Sequence, residues 1–138
     1  MDSPAAGLTE LSRGLAGYLR AVAEAVGVPA EATSFELSDT ATAYLGLTRR
    51  WPTRPGEDLM LVWSEGSGWA VAVETGPGDT PMVLAWFAGD DVVPEPADVA
   101  RFVTGVIAAD RSDAPRPVFA VDVGRNELAA RLARYVEP

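Results

Sequence analysis

A chain of 138 residues, 48% hydrophobic and 22% charged, has the size and polarity of one globular domain, and neither disorder nor a membrane class fits it. A formal charge of −9 disfavours nucleic acid as a partner, because affinity there comes from neutralising phosphates. His and Cys are absent and all 11 basic residues are Arg, which removes the usual general base, the thiolate nucleophile, the Schiff-base amine and the commonest zinc ligands together. Residues 1–138 are therefore read as a single domain with no metal and no cofactor, and an enzyme is disfavoured. The apolar stretches fall short of the roughly 20 residues of a membrane span. The start, Met1-Asp2-Ser3-Pro4, lacks the basic and apolar run of an export signal, so the expected location is cytoplasmic.

In chain order, Leu8, Leu11, Leu15, Tyr18, Leu19, Val22 and Val26 recur every three or four residues, which predicts an amphipathic helix. Ser3 or Thr9 can cap its start, and Gly27 with Pro29 supplies its stop. A second stripe of Gly14, Gly17, Ala21 and Ala25 would let another backbone come close. Glu31 to Asp39 reads as a polar joint, and Ala41 to Thr48 as the first strand. Arg49-Arg50-Trp51-Pro52-Thr53-Arg54-Pro55-Gly56 then reads as a loop, on its two prolines and glycine.

Leu59 to Trp63 and Trp69 to Glu74 form a predicted hairpin across Ser64-Glu65-Gly66-Ser67-Gly68. If its loop holds an odd number of residues, such as Glu65 to Ser67, Trp63 faces Trp69 and Leu61 faces Val71. After a turn at Thr75 to Pro81 comes the strand Met82 to Phe87, closed by Gly89-Asp90-Asp91. Pro94-Glu95-Pro96 opens a helix that carries Val99, Phe102, Val103, Val106 and Ile107 on one face and ends near Ala109. Asp110 to Pro117 is polar, Val118 to Val121 is a brief apolar run, and Asn126 can cap a last helix with Leu128, Leu132, Tyr135 and Val136 inward. The expected fold is α+β: an N-terminal helix, a four-stranded antiparallel meander and two C-terminal helices. Both sheet faces are apolar, so three helices on one face leave the other to a partner, a ligand or the C-terminal segment.

The runs Gly14 to Val22, Ala41 to Leu45, Asp58 to Trp63, Gly68 to Glu74, Val83 to Trp86 and Pro96 to Val103 resemble a small actinobacterial domain family of unknown function, of the Streptomyces type. The resemblance spans roughly residues 8–107; it implies an actinobacterial source and brings no activity with it. The helix, meander, helix order is also similar to secretion-chaperone-like folds.

Two groups of residues stand out as candidate sites. Arg49, Arg50, Trp51 and Arg54 concentrate positive charge beside an indole, the composition of an interface anchor for an acidic partner; Trp51 folded back over the sheet is the structural alternative. Asp58, Glu74, Trp63, Trp69 and Trp86 are candidates for a tryptophan-lined ligand pocket with a carboxylate pair, against the simpler expectation of core indoles and charged strand ends. Asp90-Asp91 has too few oxygens to hold a cation, and the glycines at 66, 68, 76 and 78 are turn glycines rather than a phosphate cradle. The leading functional expectation is a non-catalytic protein-interaction or accessory domain that binds a protein partner or forms a homodimer. A small ligand-binding protein or carboxylate enzyme is the alternative.

Overall fold

The computed structural model describes residues 4–37, 40–51, 54–73, 82–87, 91–109 and 125–136. Helix α1 (Pro4–Val26) leads into a 3-10 turn (Ala30–Ala32), and strands β1 (Thr33–Leu37), β2 (Ala41–Trp51), β3 (Arg54–Ser64), β4 (Gly68–Val73) and β5 (Met82–Trp86) follow. Helices α2 (Pro96–Ala109) and α3 (Arg125–Leu132) and a 3-10 turn (Ala133–Tyr135) complete the order. The strands form one antiparallel sheet in sequence order, a meander with β1 and β5 at its edges.

The sheet thus has five strands and not the expected four. The extra strand, β1, lies inside the segment read as a polar joint. Ser34 and Glu36 supply that polarity from one side of the strand, while Thr33, Phe35 and Leu37 share the other side with Leu45, Ala43 and Ala41. A second correction concerns the segment from Arg49 to Gly56. Its described residues are strand: β2 runs on through Arg49, Arg50 and Trp51, and β3 begins at Arg54, while Pro52 and Thr53 lie outside the described residues. Pairing there is irregular, with register shifts on either side of Arg50, and proline is tolerated at such irregularities. The β2–β3 ribbon, with 11 residues in each strand, projects past β1, β4 and β5, whose lengths are five or six.

The hairpin between β3 and β4 has the expected register. Trp63 pairs with Trp69 and Leu61 with Val71, so Glu65 to Ser67 form a three-residue loop. The two indole rings lie 6.5 Å apart. Within β5 a bulge between the partners of Val71 and Ala72 leaves Leu84 over, so Ala85 faces inward and Trp86 turns to the side of Ala70. Simple alternation from Met82 groups Trp86 with Leu84 instead.

One core joins the inner face of the sheet to the helices. Leu11, Leu15, Tyr18, Leu19 and Val22 of α1, Val99, Val103 and Val106 of α2, and Leu128 and Leu132 of α3 are buried against Leu45, Leu59, Leu61, Trp63, Trp69 and Val71. Gly27, at φ +90°, ends α1 in the left-handed conformation that glycine adopts without strain, and the Gly27 and Val28 N–H groups both donate to Ala23 O. Thr9 lies within α1 and is not its cap, and Asn126 lies in the first turn of α3 rather than before it. Ser3, Thr75 to Pro81, Gly89-Asp90 and residues 110–124 lie outside the described residues.

At the centre of the core, the Tyr18 hydroxyl donates to Pro94 O at 2.5 Å and accepts from Trp69 Nε1 at 3.0 Å. Tyr135 packs on the Tyr18 ring with centroids 4.9 Å apart. The two glycines of the small-residue stripe on α1 have their purpose here. A Cβ on Gly14 would lie 2.7 Å from Leu132 Cβ, and one on Gly17 only 1.8 Å from the Tyr135 carbonyl oxygen. The last turn therefore rests on the helix backbone itself.

Two outcomes follow from this packing. Alanine raises helix propensity over glycine by about 1 kcal/mol, but at position 17 its Cβ meets backbone that cannot rotate away. Gly17→Ala is expected to destabilise the protein by about 1 to 3 kcal/mol in urea denaturation, whereas Ala16→Gly, on the exposed side of α1, should cost no more than about 1 kcal/mol. The second concerns pH. Burial pushes the Tyr18 phenol far above its ordinary value, outweighing the Trp69 hydrogen bond that acts in the opposite direction. The folded chain therefore keeps a proton that the unfolded chain releases above about pH 10, and stability falls as pH rises, by up to about 1.4 kcal/mol per unit for one such group. Denaturation between pH 9 and pH 11, taken as an approximate window around the free phenol value, should show this fall, and Tyr18→Phe should reduce the slope.

Candidate functional site

Helices lie on the inner face of the sheet, and among the described residues none packs on the outer face. The ladder fixes what that face carries. Ser34 pairs with Tyr44, Tyr44 with Val62, Val62 with Ala70 and Ala70 with Trp86, one row running from edge to edge across all five strands. At about 4.8 Å per strand the row spans about 19 Å. A neighbouring row runs Glu36, Thr42, Ser64, Gly68. These two rows line a depression of about 700 Å³, with Tyr44, Val62 and Trp86 as its apolar part and Ser34, Glu36 and Thr42 at its β1 end.

Local sequence explains the shape. Small residues, Ala70, Ala72 and Gly68, lie on the outer side of β4 and leave the middle of the face low. The larger Tyr44 and Trp86 stand on either side, both half-buried. Tyr44 leans along its own strand, so that a Cβ on Gly46 would come within 3.2 Å of its hydroxyl. Ala70 in the first row, and Met60 and Ala72 beyond the rows, are buried without joining the core cluster, whereas Val83 is 40% exposed. Glu36 is the one carboxylate among the described residues of the depression.

The residues singled out from sequence do not come together. Trp63 and Trp69 belong to the core, 2% and 1% exposed, and their N–H groups are taken up inside it: Trp63 Nε1 donates to Val92 O at 2.7 Å and Trp69 Nε1 to the Tyr18 hydroxyl. Trp86 lines the outer depression. Asp58 is exposed on β3, paired in register with Arg50, and Glu74 lies outside the described residues. Arg49, Arg50, Trp51 and Arg54 are strand residues at the far end of the β2–β3 ribbon, away from the depression, and only their backbone is described.

Three other polar residues have structural positions that sequence reasoning missed. Glu65, 3% exposed in the hairpin loop, accepts the Ala41 N–H on Oε1 at 2.7 Å while its own N–H donates to Ala41 O at 3.0 Å. It closes the end of the β2–β3 ladder, and no sequence signal distinguishes it from an exposed turn acid. Asp91 accepts the Val93 N–H at 2.9 Å and forms an ion pair with Arg131 of α3, fastening the approach to α2 onto the last helix. Asp98 pairs with Arg101 along α2, an exposed bridge of small worth. No group of three or more metal-ligating side chains occurs among the described residues, and no described helix is long and apolar enough to cross a membrane.

Tyr44 is the main addition to the sequence-derived set. Its signal was its parity on β2: it alternates with Ala43 and Leu45, which face the core. Only the cross-strand register shows that Tyr44, Val62 and Trp86 fall in one row.

No curated protein and no solved structure matches the chain. A family match covers residues 18–105, from the middle of α1 through all five strands and most of α2, well over half of the sequence. The chain belongs to DUF6292, a family of unknown function.

Proposed function

We propose that this domain is a non-catalytic protein-interaction module that receives its partner on the outer face of the sheet. The observation that carries this reading is the aromatic-walled row Tyr44, Val62, Trp86, set in an apolar face that no described helix covers. Tyr and Trp are the side chains that most often dominate interface energy, since they bring large area with few rotatable bonds. A single carboxylate at one end of a depression supplies no acid–base pair, and the chain holds no His, Cys or Lys to complete one. The charge of −9 favours a basic partner, which it would draw in by long-range attraction. The resemblance to an actinobacterial family supports such a source, and the Arg-for-Lys bias with abundant Ala and Gly is in keeping with a GC-rich coding genome.

A photo-cross-linking side chain placed at Val62, in the middle of the row, tests the reading in cells. Illumination should give an adduct with a second polypeptide from position 62 and none from Arg13, which is exposed on α1. Adding Trp86→Ala should lower the adduct yield by about tenfold, the loss typical of a dominant contact. No adduct from position 62, or equal adducts from both positions, would show that the outer face is not the partner site.

A further inference from the structure

We propose that β1 is a self-pairing edge, through which two copies of this chain join strand to strand about a twofold axis at Phe35. The argument begins with the direction of the backbone groups. Ala41 donates its N–H to Glu65 Oε1 and accepts the Glu65 N–H on its carbonyl, so its backbone polar groups face β3 and not β1. Antiparallel strands alternate in this respect, which turns Ala43 and Leu45 the same way. Their partners on β1, Leu37, Phe35 and Thr33, must then direct their N–H and C=O groups away from β2, to the edge that no described strand pairs with. The Thr33 N–H is already used by Ala30 O. The Phe35 N–H and C=O, the Leu37 N–H and the Thr33 C=O remain to face outward.

Those groups are complementary to themselves. With Phe35 opposite the partner's Phe35, each Phe35 N–H donates to the other's carbonyl, and each Leu37 N–H donates to the carbonyl of the partner's Thr33. The ladder ends where the spent Thr33 N–H begins. This register sets Glu36 against the partner's Ser34, carboxylate to hydroxyl. A slide of two residues in one direction would set Glu36 against the partner's Glu36; a slide in the other would lose half of these bonds.

Side chains favour the same arrangement. Phe35 is 36% exposed, one of few large apolar residues left so among the described residues. It stands on the core side of the strand, beside a hollow of about 410 Å³ bounded by Ala16 and Leu19 of α1 and by Ala30 and Thr33. Residues facing each other across a strand pair share one side of the sheet, so the partner's Phe35 enters this hollow and the contact is reciprocal. Two five-stranded sheets become one continuous sheet, and the edge liability of β1 is removed. This pairing uses the edge and not the outer face, so it stands independently of the partner site placed there.

Sedimentation over rising concentration should show a monomer–dimer equilibrium, weakened by about tenfold or more in Phe35→Glu. Near-UV circular dichroism of the packed Trp63 and Trp69 confirms that this variant is folded. Ser34→Cys and Glu36→Cys, made separately in a chain that has no other thiol, test the register. Mixed and mildly oxidised, they should yield a disulfide-linked dimer, which neither gives alone. A chain that stays monomeric at high micromolar concentration overturns the proposal, as does a dimer indifferent to Phe35→Glu or equal cross-linking of the unmixed variants. A dimer that dissociates on Trp86→Ala instead would place the contact on the outer face and overturn it equally.

Discussion

One phenol holds the two layers together. The Tyr18 hydroxyl bonds at once to an indole of the sheet and to the carbonyl of Pro94, just before α2, so α1, β4 and the approach to α2 meet at one oxygen. The segment around Pro94 is fixed from further sides: Trp63 binds the carbonyl of Val92, and Asp91 holds both the Val93 N–H and Arg131. The bonds of the Tyr18 hydroxyl are buried and that of Trp63 partly so, and there removing one partner leaves the other without its bond at a cost of about 1 to 3 kcal/mol; the Asp91–Arg131 pair is exposed and adds less. The joint thus specifies which way the helices lie as well as adding to stability.

That specification makes the sheet one-sided. With α1, α2 and α3 committed to the face that carries Trp63 and Trp69, the opposite side of the same strands keeps its apolar residues with no described helix over them. Antiparallel sheets commonly present a polar outer face to water. Here Tyr44, Val62, Val83 and Trp86 stand where polar residues would otherwise be found. The two families of tryptophan therefore have different physical roles. Trp63 and Trp69 spend their N–H groups inside the core, whereas Trp86 owes its place on the outer face to one bulge residue in β5.

Most of the helices and the central hairpin were legible in the sequence because their signals are redundant. Spacing, stop residues and burial agree along α1, and the parity of the loop from Glu65 to Ser67 fixes the Trp63–Trp69 pairing. What was hidden depended on one residue or on long-range contacts. Strand β1 is short and carries Ser34 and Glu36 on its exposed side, so its composition is that of a linker. Arg54 to Gly56 read as part of a loop because a sequence shows the missing donor of Pro55 but not the register shift beside which it lies in β3. The outer row was out of reach for a similar reason. Tyr44, Val62 and Trp86 are ordinary strand residues singly, and the bulge at Leu84, which no local pattern announces, decides that Trp86 joins them.

The seat of the last turn on α1 has a kinetic side. Gly14 and Gly17 are made early in synthesis, but the backbone that fills the space above them belongs to Leu132 and Tyr135, almost the whole described chain later. Closing so long a loop costs little more free energy than closing one half its length, since the entropy grows only with the logarithm of the number of residues. The delay, however, is set by topology: contacts of high sequence separation form late and slow the search for the native state. Until those residues arrive, α1 exposes a bare strip of backbone together with half of the Tyr18 pocket. The meander, built from neighbours in sequence, has no such wait. Sheet pairing can therefore precede closure of the helical layer, which has to wait for residues 132–135 to reach a helix that was among the first to be made.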